Sequence, residues 1–125
     1  MIEVDNIPGW FPEENRTTLE RLIHEYEIRS VIEIGSFLGL SAIWFAKHKR
    51  IESVTCVDTW FEDANHESSN NVLGTLRRWE MPRDFFSYFR ENAMRSGVWH
   101  KLCPVRGRSC LVAGEMPDSD LVYFD

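Results

Sequence analysis

Leu19, Leu22, Ile23 and Tyr26 recur at helical spacing and make a single apolar stripe. Pro12-Glu13-Glu14 opens that segment: proline suits a first helical turn, and two carboxylates complement the positive end of the helix dipole. Ahead of it, Ile7-Pro8-Gly9-Trp10 reads as a turn carrying an aromatic. The pattern changes at Ser30-Val31-Ile32-Glu33-Ile34, a β-branched run ended by Gly35, hence a strand. Leu40 to His48, with Ile43, Trp44 and Phe45, is apolar on most sides and carries no breaker, so a helix buried against a sheet is expected. Ser53 to Val57 is a second strand, closed by Asp58. Neither strand alternates cleanly between polar and apolar, as parallel strands covered on both faces do not.

Residues 59–82 carry the weakest pattern. Asn65, Ser68, Ser69, Asn70 and Asn71 favour turns, so an irregular loop is expected, then a short helix near Val72 to Trp79 that Pro82 breaks. Phe85, Phe86, Phe89 and Met94 fall on one side of the next helix, with Gly97 as its C-cap. A third strand follows around Leu102 to Arg106, ended by Gly107, and Leu111 to Glu115 is one helical turn. Leu121-Val122-Tyr123-Phe124 is a fourth strand. Helix first, then strands separated by helices, predicts one α/β domain over 1–125: a Rossmann-like parallel sheet with helices on both faces and right-handed crossovers.

Composition removes several alternatives. Hydrophobic residues make up 43% and charged residues 27% of the 125, ordinary for one globular domain. No apolar run approaches the roughly 20 residues that span a bilayer, and Met1-Ile2-Glu3-Val4-Asp5 lacks the basic start of a signal peptide. A soluble cytoplasmic protein with no membrane partner is expected. The net charge is −6 and the basic residues are scattered, so no nucleic-acid partner is expected. Lys47, His48, Lys49 and Arg50 cluster at a helix end, where cations offset the dipole. Cys56, Cys103 and Cys110 are odd in number and lack CxxC pairing, which argues against a disulfide or zinc framework.

The chemistry concentrates in Glu33-Ile34-Gly35-Ser36-Phe37-Leu38-Gly39-Leu40-Ser41, where a strand passes into a helix through two glycines. Unpaired N–H groups at the helix start favour an anionic ligand group. Gly35 allows a sharp turn, and Gly39 allows a ligand or neighbouring backbone to come close. Asp58 ends the next strand about 20 residues on, where an acidic residue can take both hydroxyls of a ribose. A dinucleotide site wants G-x-G-x-x-G, so that a pyrophosphate can lie against the second glycine. Phe37 stands there instead, and its ring is expected to obstruct a pyrophosphate. S-adenosylmethionine has no pyrophosphate, so the turn tolerates it.

These residues resemble a known family. Glu33-x-Gly35-x-x-x-Gly39-x-Ser41 is similar to motif I of class I S-adenosylmethionine-dependent methyltransferases, in the variant of small-molecule enzymes such as catechol O-methyltransferase. Asp58-Thr59-Trp60 resembles the segment after strand two in macrocin and sugar O-methyltransferases, and Gly107-Arg108-Ser109 the adenine-side turn after strand three. Asp120 to Asp125 resembles strand four, whose last aspartate faces the methyl-transfer site. The resemblance spans roughly residues 9 to 125.

The resemblance implies a role for each matched position. Glu33 would anchor the loop and approach the methionine amino group, with Gly35, Ser36, Phe37, Gly39 and Ser41 around the amino-acid moiety. Asp58 would bind the ribose, Thr59 and Trp60 would lie along the adenine, and Arg108 and Ser109 would flank its edge. Relatives often carry Asp or Ala at the Arg108 position; a guanidinium only donates, so Arg108 would stack or point outward. Asp125 would be the catalytic, substrate-side carboxylate or the ligand of a divalent metal such as magnesium. Plainer readings stand beside these: Glu33 and Asp58 as caps of backbone N–H groups, Trp60 and the Phe85, Phe86 and Phe89 cluster as core. His66 is a candidate base above the site, whereas His24, His48 and His100 fit ordinary helix and loop positions.

The family's sheet has seven strands in the order 3-2-1-4-5-7-6, and four are read here, in the order 3-2-1-4. The expectation is an incomplete domain: a nearly whole cofactor side, few substrate-side walls, little methyl transfer, and self-association through the edge of strand four. The acceptor is expected to be the hydroxyl of a small molecule or sugar. A nucleotide-dependent oxidoreductase and a non-catalytic remnant that binds cofactor or a partner chain are the alternatives.

Overall fold

A computed structural model describes Val4, residues 7–60 and residues 84–125. The loop and short helix expected before Pro82, and His66, lie outside the described residues.

Helix α1 spans Glu13–Glu25 behind an extended Pro12, and its stripe buries Leu19 and Ile23. Strand β1 is Ser30–Ile34 and β2 is Ser53–Asp58. Between them α2 covers Leu40–Ala46 and buries all but its first residue. It stops earlier than its apolar run suggests. His48 N–H bonds back to Phe45 O at 3.1 Å, which tightens the last turn, and Lys101 Nζ donates to Ala46 O and His48 O at 2.9 and 3.1 Å. A distant cation thus satisfies the orphan carbonyls.

Helix α3 spans Phe85–Arg95, and the Asp84 carboxylate caps it by accepting from Ser87 N–H at 2.7 Å. Its buried face is Phe85, Tyr88, Phe89 and Ala93. Met94, read as part of that face, is 55% exposed, because it sits one residue (about 100°) past Ala93. Gly97 takes φ +72° beyond the helix end, as a left-handed C-cap glycine does. A 3₁₀ turn, Trp99–Lys101, leads into β3, Leu102–Arg106. The helical turn expected at Leu111 starts earlier, as α4 (Ser109–Val112), and runs into a second 3₁₀ turn at Ala113–Glu115. Strand β4 is Leu121–Phe124.

The four strands are all parallel in the order β3-β2-β1-β4. Register pairs Val31 with Val54 and Leu121, and Glu33 with Cys56 and Tyr123, so these side chains share one face. That face is the main core, where Val31, Val54, Cys56 and Leu102 pack with Leu19 and Ile23 of α1, Ile43 to Ala46 of α2, and Phe85 and Phe89 of α3. Ahead of α1, Phe11 stands edge-on to Trp44 and Tyr123, with ring centroids 5.2 and 6.1 Å away, while Trp10 is 79% exposed. The chain steps outward from β1 to β3 and then returns past β1 to β4. A right-handed return places α4 on the opposite face. Asp120 pins that return by accepting from Arg29 N–H at 2.8 Å and Ser30 N–H at 3.2 Å. All three cysteines are free thiols, and Cys56 is buried. Among the described residues no helix is long and apolar enough to cross a membrane.

The reversal between β1 and β4 makes a topological switch point. In open parallel sheets, ligands bind beside the carboxyl ends of the strands at such a point.

Candidate functional site

The turn from β1 to α2 sits at the carboxyl end of the sheet. Gly35 has φ +91°, its N–H donates to Val57 O at 2.7 Å, and a Cβ there would stand 3.0 Å from the backbone oxygen of Asp125. Gly39, at φ +96°, is needed for a different reason: a Cβ would meet Phe89 at 3.0 Å and Ile43 at 3.1 Å. Its smallness therefore serves the packing of α3 on the turn. Asn92 of α3 also reaches the turn, donating to Leu38 O at 3.0 Å.

Asp58 serves the same turn from β2. One carboxylate oxygen accepts from Phe37 N–H at 2.9 Å and the other from Trp60 N–H at 2.7 Å. The Trp60 indole N–H donates to Phe37 O at 2.7 Å. The Phe37 ring turns toward α3 and meets Phe85 edge-on at 5.0 Å. The ring thus packs on α3, and the expected steric obstruction of a pyrophosphate by it does not follow from this placement. Trp60 is 2% exposed, its ring against Phe86 and Phe89, so it presents no face for an adenine to lie along.

Under the turn lies Glu33, wholly buried. Ser41 Oγ donates to its Oε2 at 2.6 Å; Glu33 Oε1 and Ser36 Oγ are buried with no hydrogen-bond partner among the described residues. Burial raises the Glu33 carboxyl to about 8; hydrogen bonding lowers it in part, and the nearby charges of Asp125 and Asp58 push it further up. Glu33 is therefore held as a neutral acid near pH 7. Asp125 follows β4 at the same end, its N–H donating to Ile34 O at 2.9 Å. Its carboxyl is raised by partial burial and by the nearby charge of Asp58.

A cleft of about 260 Å³ opens beside these groups, over the ends of three strands. Gly35, Asp58, Thr59, Gly107, Arg108 and Ser109 line it, above Ile34 and Val57. Five residues expected to touch a cofactor meet there from separate parts of the chain: Gly35, Asp58, Thr59, Arg108 and Ser109. Glu33, Ser36 and Ser41 lie beneath; Phe37, Gly39 and Trp60 form the packed back of the turn. The volume is below the roughly 300–1,000 Å³ of a full ligand pocket, so it takes part of a ligand. A larger groove of about 570 Å³ is bordered by Phe86, Arg90 and Met94 of α3, but it includes no strand end or glycine turn.

Each Asp58 oxygen accepts one N–H, and a carboxylate oxygen has a second lone pair, so a ribose diol can still donate to both. The donor set fits a nucleoside. Among the described residues no three His, Cys, Asp or Glu side chains come together as a metal site. Arg106 was missed in the sequence; its Nε donates to Thr59 O at 3.2 Å and its guanidinium lies 5.9 Å from the Phe86 ring centre. Asn92 was missed too, although a lone amide at the Phe85-Tyr88-Phe89 spacing is a legible signal of a buried polar contact.

No protein-family model matches the sequence, and no curated protein matches it significantly. Solved structures do match in fold. The O-methyltransferase TomG of Streptomyces achromogenes, involved in tomaymycin synthesis and in complex with S-adenosylmethionine, superposes with a TM-score of 0.63 at 18% identity, over 93% of this chain and 45% of its own. An O-methyltransferase of Bacillus cereus in complex with S-adenosylhomocysteine gives 0.60 at 17%, over 96% and 48%. A precorrin 8W decarboxylase of Methanobacterium thermoautotrophicum gives 0.59 at 16%, over 94% and 50%. The chain thus has the Rossmann-like fold of S-adenosylmethionine-dependent methyltransferases and spans about half the length of the structures it matches. At such identities the likeness shows the fold, and the site must carry the function.

Proposed function

We propose that this chain is the cofactor-binding portion of a class I S-adenosylmethionine-dependent O-methyltransferase acting on a hydroxyl of a small molecule or sugar, in the cytoplasm. One observation carries the reading: residues from three separate motifs converge on one cleft at the carboxyl ends of β1, β2 and β3. The structural neighbours with bound S-adenosylmethionine or S-adenosylhomocysteine support it.

S-adenosylmethionine, when bound, supplies a sulfonium methyl group that passes to the acceptor oxygen by direct displacement. The chain's own residues orient the partners. Asp58 takes the ribose hydroxyls, and Gly35 lets the nucleoside lie close to backbone. Ser109, and Arg108 by stacking, border the base. Asp125, with its carboxyl raised, is placed at the end of β4 to accept the hydroxyl proton as the new bond forms. The outer edge of β4, with Phe124 74% exposed, supports pairing with another strand, which light scattering across a concentration series would register as self-association.

Calorimetric titration of the folded protein tests the cofactor directly. S-adenosylhomocysteine is expected to bind, with NAD titrated as the competing candidate. Comparable NAD binding with no response to S-adenosylhomocysteine would overturn the reading in favour of a nucleotide-dependent oxidoreductase.

A further inference from the structure

Phe37 stands where a dinucleotide turn carries its second glycine, and its backbone takes φ +49°, the left-handed region. A bulky side chain rarely adopts that conformation unless its surroundings over-determine it. Here they do. Phe37 N–H is held by Asp58 at 2.9 Å and Phe37 C=O by the Trp60 indole at 2.7 Å, and Trp60 N–H returns to Asp58 at 2.7 Å. Three hydrogen bonds thus close a ring through one carboxylate, and Trp60 is itself at φ +48°. The indole is buried against Phe86 and Phe89, so its donor is fixed in place.

We propose that Trp60 is a positioning residue for the ligand turn: its indole N–H, with Asp58, holds Phe37 in the left-handed conformation that a glycine would adopt unaided. Trp60 then acts on the ligand only through Phe37. Removing the indole N–H frees the turn, whereas placing glycine at 37 makes the indole dispensable.

The ligand arm of the test rests on the cofactor reading; a ligand-free arm stands apart from it. Trp60→Phe keeps a buried ring and removes the donor. In the ligand-free protein the Phe37 amide is expected to lose hydrogen-exchange protection while Val54 and Cys56 of β2 keep theirs. S-adenosylhomocysteine affinity is expected to fall about tenfold, the scale of one released strained residue. The double variant Phe37→Gly/Trp60→Phe is expected to bind within about threefold of Phe37→Gly alone, since glycine takes positive φ at little cost. Should Trp60→Phe fail to fold, Trp60→3-benzothienylalanine removes the same donor with almost no change of shape. Unchanged protection at Phe37 would overturn the proposal, as would an affinity loss that glycine at 37 does not relieve. If the exchange pattern holds but no variant nor the parent protein binds S-adenosylhomocysteine, the clamp stands and the cofactor reading falls.

Discussion

Asp58→Ala is expected to weaken S-adenosylhomocysteine binding by about a hundredfold and to cost about 2–3 kcal/mol of stability. Two separate losses combine. The first is the pair of charge-assisted hydrogen bonds to the ribose diol, each contributing about 1.5–3 kcal/mol. The second is structural: Phe37 N–H and Trp60 N–H lose their acceptor. Asp58→Asn separates the two effects. Its amide oxygen can keep one of the two backbone bonds, so it is expected to recover part of the stability but little of the affinity. Urea titrations and calorimetry on both variants check this. A variant that binds like the parent protein would leave Asp58 as a turn residue only.

Glu33→Gln is expected to stabilise the protein at pH 8 and to do little at pH 5. The carboxyl sits at about 8 in the folded chain against an ordinary 4.5. Below pH 4.5 it is protonated whether the chain is folded or not. Between 4.5 and 8 the unfolded chain has released the proton while the folded chain keeps it, so stability falls as pH rises, by at most about 1.4 kcal/mol per unit. Above 8 both forms are ionised and the loss is complete, on the order of 5 kcal/mol. Glutamine matches the shape without the charge: it can still accept from Ser41, and the unpartnered Ser36 hydroxyl is an acceptor for its amide. His48 works the other way in this window, because burial lowers its pKa and favours the neutral form as pH rises. The difference between parent and variant cancels that term. Chemical denaturation at pH 5, 6.5 and 8 reads it, and parallel pH curves for the two proteins would contradict a neutral buried Glu33.

β1 and β2 were legible because they are short, rich in β-branched residues and end at Gly35 and Asp58; β3 ends at Gly107 and β4 is a short apolar run, and β1, β3 and β4 take the bounds expected of them. Helix ends were less legible where a distant partner sets them: nothing near Ala46 in the sequence announces that Lys101 caps its carbonyl. In the buried face of α3, Tyr88 stands where Met94 was expected: Tyr88 is three residues from Phe85, whereas Met94 is nine, half a turn round the helix, and a tyrosine ring buries as readily as a methionine. At the site, Gly35, Asp58, Thr59, Arg108 and Ser109 could be collected from motifs, since each sits at a strand end. What motifs do not carry is direction. Whether the rings of Phe37 and Trp60 face the cleft or the core depends on α3, whose Phe85 and Phe89 lie far along the chain and draw both inward.

The central claim, that the cleft at the strand ends holds the nucleoside of S-adenosylmethionine, is tested most directly by titrating ¹⁵N-labelled protein with S-adenosylhomocysteine. The amides of Gly35, Thr59, Gly107, Arg108 and Ser109 are expected to shift together with one dissociation constant, while Glu27, Arg29 and Glu52 at the far end of the sheet stay still. Shifts confined to α3, or none at concentrations that saturate a methyltransferase site, would contradict the assignment.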